Sequence, residues 1–97
     1  MQSQVHVQTE QCGNRDELVA FAGLCADRIA RDLREVDGWN LYVVGGLDQS
    51  NAVVRVRVGG DTVETRASGC DPAQAIWEAM CRIEQPVRHA AAAARAA

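Results

Sequence analysis

The stretch from Asn51 to Val87 restricts the possible folds more than any other part of the chain. It contains the clearest alternation of apolar and charged residues in the sequence, in Val54, Arg55, Val56, Arg57 and Val58. A period of two is typical of a strand with one buried face. Gly59-Gly60-Asp61 predicts a hairpin turn, because glycine readily adopts the positive φ that such turns require. Thr62 to Ala67 then predicts the returning strand.

An amphipathic helix is predicted directly after this hairpin. Asp71 is suited to cap it, and Pro72 to occupy its first position, where the missing N–H costs no hydrogen bond. The apolar stripe of this helix consists of Ile76, Met80, Ile83 and Val87. Pro86 is predicted to kink or end the helix, because proline cannot donate the hydrogen bond that a helix interior requires.

The first half of the chain predicts a strand, a helix and a second strand. Gln4 to Thr9 alternates as a half-buried strand does. Apolar residues then recur every three or four positions in Leu18, Phe21, Cys25, Ile29, Leu33 and Val36. This spacing predicts a helix of about five turns. Asn14 is placed to cap its start and Asp37-Gly38 to end it. Trp39 to Val44 is rich in aromatic and β-branched residues and predicts the second strand.

The predicted order is therefore β-α-β-β-β-α. Two helices with one apolar stripe each must bury both stripes on the same face of a four-stranded sheet, which gives a two-layer α+β sandwich. The other sheet face is left open, and Arg55 and Arg57 are expected there, near Arg66. Residues 1–89 are expected to form this single domain, and the Ala-rich residues 90–97 a flexible tail.

Composition limits the classes of partner. Ten basic and thirteen acidic residues give a net charge of −3, which argues against non-specific nucleic-acid binding over the whole surface. Every basic residue is Arg, whose planar guanidinium suits a local phosphate-binding patch. No apolar run approaches the roughly 20 residues that span a bilayer, and the N-terminus lacks the features of a signal peptide. A cytoplasmic location without a membrane partner is therefore expected.

No catalytic, metal or cofactor site is expected. The four cysteines are Cys12, Cys25, Cys70 and Cys81. Their spacings match no zinc pattern, and Cys25 lies on an apolar stripe, where it is expected to pack in the core. His6 and His89 lack the neighbouring groups of a catalytic dyad. The paired glycines precede no helix, unlike those of phosphate-binding loops. The sequence therefore predicts a protein that is not an enzyme.

These elements resemble the ribosome hibernation-promoting factors, also called ribosome-associated inhibitor or sigma-54 modulation proteins, whose short forms are about this long. The resemblance runs almost without gaps from Val5 to about His89. In the first helix it rests on Leu18, Phe21, Arg28, Ile29 and Leu33. In the second half it rests on Gly59, Gly60, Ala67, Gly69, Asp71, Ala75, Ile76, Arg82, Ile83 and Val87.

The resemblance implies a non-enzymatic translation silencer that acts in ribosome hibernation, a stress response. Such a protein binds the rRNA of the small ribosomal subunit in the decoding region, across the mRNA and tRNA channel. The resemblance places rRNA contacts at Arg28 and Arg82. Helical spacing adds Arg31, Arg34 and Arg88, and predicts that Arg28, Arg31 and Arg34 form a ridge along the exposed side of the first helix.

The arginines of this ridge also have acidic neighbours at helical spacing. Arg28 is one turn from Asp32, and Arg31 is one turn from Asp27 and from Glu35. Pairs of this kind are common on solvated helix surfaces. Simple surface pairing is therefore the alternative to RNA contact.

Two further functional classes fit the sequence. Gly69 to Met80 resembles a segment common in small phage proteins, which suggests a small phage-type inhibitor, similar to anti-CRISPR proteins, that acts on a protein partner. An acidic surface would complement a basic, nucleic-acid-binding partner. Trp77, beside the apolar stripe, is then expected either to pack at the core edge or to contact that partner. A double-stranded-RNA-binding module shares the α-β-β-β-α core, but presents a basic cluster where Asp71-Pro72 stand here.

Overall fold

The computed structural model describes residues 4–96. Its elements are β1 (Gln4–Glu10), α1 (Arg15–Ala30), β2 (Val36–Val44), β3 (Ser50–Val58), β4 (Asp61–Gly69) and α2 (Pro72–Ala96). The strands form one sheet in the order β1-β2-β3-β4. β1 and β2 are parallel, and the other neighbouring pairs are antiparallel. The predicted β-α-β-β-β-α sandwich is confirmed.

The alternation along the central strands separates a buried sheet face from an open one. Every second residue of β3 is buried, in Ser50, Ala52, Val54, Val56 and Val58. Trp39 of β2 lies on the same buried face with no exposed surface. Of the residues between them, Asn51, Arg55 and Arg57 are exposed and Val53 is partly buried. Helix α2 packs on β2, β3 and β4, and α1 packs on β1 and on α2, so both helices bury their apolar residues on the same side of the sheet, as predicted.

Helix α2 supplies the largest part of the core opposite this sheet. Its predicted stripe is confirmed, since no surface is exposed at Ile76, Met80, Ile83 and Val87. The predicted start of the helix is also confirmed. The backbone N–H of Gln74 donates to Oδ1 of Asp71 at 2.8 Å, and Pro72 is the first helical residue. None of the helices in residues 4–96 has a stretch long and apolar enough to cross a membrane.

Helix α1 is shorter than the apolar spacing predicts. It ends at Ala30, and the backbone N–H groups of Leu33 and Val36 bond three residues back, at 3.0 and 3.4 Å. These tighter turns lead directly into β2, although Leu33 and Val36 remain buried. The prediction of a five-turn helix to Val36 is wrong. Leu33 and Val36 are buried at the spacing of a helical stripe, but they lie beyond the end of the helix. Asn14 precedes the helix, but its side chain makes no cap hydrogen bond.

Pro86 was predicted either to kink or to end α2, and it does not end the helix. The helix continues to Ala96, with Pro86 on its exposed side. Proline removes one backbone hydrogen bond there, whereas Val87 and Ala91 continue the buried side. The expected flexibility of the tail is a property of motion and stays a prediction, as does the boundary at residue 89. Residues 1–3 of the expected domain and residue 97 of the expected tail lie outside the described residues.

Gly69 marks a close approach between the end of β4 and the first turn of α2. A Cβ atom at this position would lie 2.6 Å from the backbone nitrogen of Ala75 and 2.9 Å from the carbonyl carbon of Gln74. We expect Gly69→Ala to lower the free energy of unfolding by about 1–3 kcal/mol, because backbone must move to accept the methyl group. Urea denaturation measures this loss.

Gly13→Ala is the matched control, since a Cβ atom at Gly13 meets nothing within 4 Å. Its free energy of unfolding is expected to stay within about 0.5 kcal/mol of the native value. If the two variants were equally stable, the close approach at Gly69 would be refuted.

Candidate functional site

Helices α1 and α2 lie side by side and run in the same direction, with a constant register between them. Partners 56 positions apart meet in Phe21–Trp77, Arg28–Glu84 and Asp32–Arg88. The ring centroids of the first pair are 6.4 Å apart. The ion-pair distances are 3.2 Å in the second pair and 3.8 Å in the third. We call this line of contacts the helix seam.

Glu84 joins two of the predicted site residues within the helix seam. Its Oε1 accepts from Arg28 at 3.2 Å, and its Oε2 accepts from Arg88, also at 3.2 Å. The side chains of Arg28 and Arg88 are 49% and 40% exposed. Ion pairs with this exposure contribute about 0–1 kcal/mol each. Both guanidinium groups can therefore exchange a carboxylate for another anion at low cost.

Trp77 extends the helix seam with an apolar surface. The guanidinium carbon of Arg28 lies 5.9 Å from the centre of its ring system, which is within cation–π range. Trp77 packs on Phe21 and yet remains 44% exposed. Packing at the core edge and partial exposure therefore both occur at this residue. Leu24, on the neighbouring α1, is 69% exposed.

The remaining α1 arginines lie at the end of the helix. Arg31 is the C-cap residue of α1, and Arg34 lies in the turn that precedes β2. The predicted ridge along one helix is therefore wrong in its geometry, because α1 ends before Arg34. Both side chains are exposed. The seam brings Arg28 together with Arg88 instead, although the two are distant in the sequence.

Two of the three acidic residues considered as partners of these arginines, Asp32 and Glu35, pair with α2 instead. Arg28 bonds to Glu84 rather than to Asp32, and Asp32 pairs with Arg88. Glu35, one of the two acidic residues considered for Arg31, pairs with Arg95 near the end of α2 at 3.5 Å. These contacts depend on the packing of two helices, so the i,i+4 spacing did not indicate them.

Arg82 lies on the other flank of α2 and is not part of the helix seam. Its Nη1 donates to the backbone oxygen of Arg66 at 3.0 Å. β4 is an edge strand of the sheet, so this bond satisfies an acceptor at the free edge. Arg28 and Arg82 therefore do not form one continuous basic strip. The structure brings two of the five predicted arginines into direct contact with one carboxylate.

The open sheet face carries a second group of arginines. Arg55 and Arg66 both pair with Glu64, and Arg57 is exposed beside them. The expected placement of Arg55 and Arg57 on this face near Arg66 is confirmed. A concave surface of about 1060 Å³ includes part of this face, with His6, Asn40, Tyr42, Arg55 and Arg66 in its lining. Hydrogen bonding to Glu10 raises the pKa of the Tyr42 hydroxyl.

The pairing on the open sheet face has a measurable effect on titration. The hydrogen bond from Arg55 lowers the pKa of Glu64, and the charges of Arg55 and Arg66 act in the same direction. Because the folded-state pKa is lowered, the pair stabilises the fold above the usual carboxyl pKa. This contribution is lost as the pH falls through the lowered value. We expect an NMR titration of the Glu64 carboxyl to give a pKa below the usual glutamate range.

Arg55→Ala is the direct comparison for this titration, because it removes the main cause and leaves Glu64 in place. The pKa of Glu64 is expected to rise toward its ordinary value in this variant. If the pKa of Glu64 were the same with and without Arg55, the pairing would be absent in solution.

The residue that the sequence analysis missed is Glu84, which pairs with both arginines of the helix seam, and Asp32 was considered there only as a partner of Arg28. A partial signal existed, since Glu84 and Arg88 are one helical turn apart.

Cys25 is buried, as predicted. In the range 4–96 there is no cluster of three or more His, Cys, Asp or Glu side chains that is suited to a metal ion.

Comparison with known proteins gives a match in three dimensions. No family model matches the sequence, and no curated protein matches it. The fold is that of the Thermus thermophilus Protein Y N-terminal domain. That structure is 16% identical, with a TM-score of 0.76 over 89% of this chain and 97% of that one. A ribosomal subunit interface protein from Coxiella burnetii, also 16% identical, gives 0.70 over 89% and 94%. The predicted resemblance is confirmed in the fold.

Proposed function

We propose that the protein is a ribosome-associated translation silencer. It binds the rRNA of the small subunit in the decoding region and acts by occupying that region, without chemistry. The observation that carries the proposal is the structural match over nearly the whole of two domains. One of these is a ribosomal subunit interface protein. Such a protein works in the cytoplasm, where it meets ribosomes.

The helix seam is the surface that we assign to rRNA. Arg28 and Arg88 are half-exposed, and their ion-pair partners are the part-exposed carboxylates of Glu84 and Asp32, so phosphate oxygens can replace these carboxylates at little cost. Arg31 and Arg34 extend this surface past the end of α1. Trp77 offers a partly exposed ring on which an unpaired base can stack. Arg82, on the other flank of α2, is a separate rRNA contact in this proposal.

The net charge of −3 means that RNA binding would depend on particular arginines and not on overall charge. A chain with excess acid is not attracted to RNA over its whole surface, so binding depends on the local arrangement of arginines. Because neutralised phosphates release counterions, binding of this kind weakens steeply as salt rises. A few arginine contacts are therefore expected to dominate the affinity.

Co-sedimentation with ribosomes tests the proposal. Particles from stationary-phase cells are centrifuged through sucrose at low and at high salt, and the protein is followed in the 30S and 70S fractions. We expect it in these fractions at low salt and less of it at high salt. Its absence from both fractions at low salt would refute the proposal.

A protein inhibitor of the phage type is the second candidate. The exposed Leu24 and Trp77 on the helix layer favour it, because large apolar side chains at a surface are common in protein interfaces. A pull-down discriminates the two functions. Recovery of ribosomal proteins supports the translation silencer, and recovery of one non-ribosomal partner without them supports the inhibitor.

A further inference from the structure

Cys25 and Cys81 occupy equivalent positions in the helix seam. They are one helical turn beyond Phe21 and Trp77, respectively, so they have the same separation in sequence as the other seam pairs. The pairs on either side of them, Phe21–Trp77 and Arg28–Glu84, are in contact. In two helices that run in the same direction with a constant register, the two cysteines therefore face each other.

From this register we infer that Cys25 and Cys81 form an oxidation site, at which hydrogen peroxide generates a disulfide bond that joins α1 to α2. The assignment concerns the isolated chain and does not depend on ribosome binding. It adds a covalent modification to a surface on which the other contacts are non-covalent.

The packing around Cys25 allows the helices to approach closely. Its neighbours Ala22 and Ala26 are buried small residues on the same helix. Helices whose axes are about 8–10 Å apart, with Cα atoms about 2.3 Å from each axis, bring directly facing Cα atoms to roughly 3.4–5.4 Å. A disulfide requires Cα atoms about 4.4–6.8 Å apart. The two ranges overlap.

The two thiols differ in access to solvent. Cys81 is exposed, whereas Cys25 is 5% exposed. Burial raises the pKa of the Cys25 thiol, the charge of Arg28 opposes this rise, and the charge of Cys81 adds to it. Cys25 and Cys81 therefore share one electrostatic environment. An oxidant in solution reaches Cys81 first, and Cys25 is protected until its neighbour has reacted.

The reaction balances with peroxide as the oxidant. The Cys81 thiolate attacks one peroxide oxygen, the O–O bond breaks, and a sulfenic acid and hydroxide result. The Cys25 thiolate then attacks the sulfenic sulfur, so that the S–S bond forms as the S–O bond breaks and a second hydroxide leaves. The protons of the two thiols convert both hydroxides to water. The thiols together lose two electrons, which reduce the peroxide.

The test uses a chain in which the other two cysteines are replaced, Cys12→Ser with Cys70→Ser. The Cys12 thiol donates to the backbone oxygens of Glu10 and Val43, at 3.3 and 3.9 Å, and the hydroxyl of serine can donate to the same oxygens. The replacement of Cys70 also makes the digest unambiguous. Trypsin cleaves after arginine, so Cys70 and Cys81 lie on one peptide between Arg66 and Arg82, and a crosslink to that peptide could otherwise be assigned to either cysteine.

Dilute protein is treated with a small excess of hydrogen peroxide, digested without reductant and analysed by mass spectrometry. We expect a crosslink between the peptides of residues 16–28 and 67–82, lighter than their sum by two hydrogen atoms and separated by dithiothreitol. Both free thiols are lost together in a thiol assay. The oxidised protein is expected to unfold at a higher urea concentration than the reduced protein.

Adding Cys25→Ser to this chain is expected to leave Cys81 oxidised to the sulfenic acid and then to the sulfinic acid, without the crosslink. Adding Cys81→Ser, at an exposed position, is expected to leave Cys25 reduced. The inference is overturned if the chain with both cysteines is oxidised at Cys81 and never forms the intramolecular crosslink. A crosslink only between two copies of the chain overturns it as well.

Discussion

Removing Arg28, Arg31 and Arg88 together, each by substitution with alanine, is expected to weaken binding to small ribosomal subunits by about a hundredfold or more at about 0.1 M salt. The physical reason is that each arginine that neutralises a phosphate releases a counterion, which gives roughly a tenfold gain in affinity near this salt concentration. A binding assay over a series of salt concentrations measures the change. The slope of log affinity against log salt is expected to fall by about 2–3.

The open sheet face provides a control with the same change of charge. Arg55, Arg57 and Arg66 are exposed, and their joint substitution with alanine removes three positive charges on the opposite side of the molecule. This variant is expected to keep most of the affinity. Equal losses in the two variants would indicate general electrostatic attraction. An unchanged affinity after loss of the seam arginines would refute the assignment of rRNA binding to the helix seam.

Substitution of Ile83 by alanine is expected to have the largest effect on stability. Ile83 lies in the centre of the stripe by which α2 packs on the sheet, and none of its surface is exposed. Removing a buried isoleucine side chain costs about 2–5 kcal/mol, because apolar contacts are lost and a cavity remains. A domain of this length has a total stability of about 5–15 kcal/mol. Thermal unfolding followed by circular dichroism is expected to show a melting temperature lower by about 10–20 °C.

Leu24→Ala is the matched control for this substitution. It also shortens an aliphatic side chain on a helix, but Leu24 is 69% exposed. Its loss is expected to change the free energy of unfolding by less than about 0.5 kcal/mol. Similar melting temperatures for the two variants would contradict the placement of Ile83 in the core.

The second half of the fold follows from the sequence because its signals are local. The alternation in β3 predicts one buried face, and the glycines at positions 59 and 60, both with positive φ in the structure, predict the hairpin. Asp71 marks the start of α2 because it accepts a hydrogen bond from an N–H that the helix end leaves without a partner, and Pro72 occupies a position where no N–H is needed. Each of these features is decided within a few residues.

The end of α1 was misplaced for a physical reason. Leu33 and Val36 continue an apolar spacing of three to four residues, yet the chain has already left α1 before Leu33. Burial alone produces such a spacing, and a tight turn that returns to the core gives it as well as a helix does. Pro86 is the converse case. A strong helix breaker is tolerated because it lies on the solvent side of a helix that the core holds on its other side.

The candidate site could be predicted in its residue types and not in its arrangement. Arg28 was identified from the resemblance and Arg88 from helical spacing, and both lie in the helix seam. Their shared partner Glu84 was not identified. The separation between Arg28 and Glu84 is 56 positions, and no periodicity within one helix relates such distant residues.

The stretch from Asn51 to Val87, together with the strand and helix before it, determined the element order and the class of fold. It did so because periodic burial and chain-turning residues act over a few positions. Only the tertiary structure decided which side chains meet in the helix seam. The register of α1 against α2 is set by how both helices pack on the same sheet, and that packing depends on the whole core at once. The pairing of Arg28 and Arg88 with Glu84, and the corresponding positions of Cys25 and Cys81 in the two helices, therefore follow from the assembled domain.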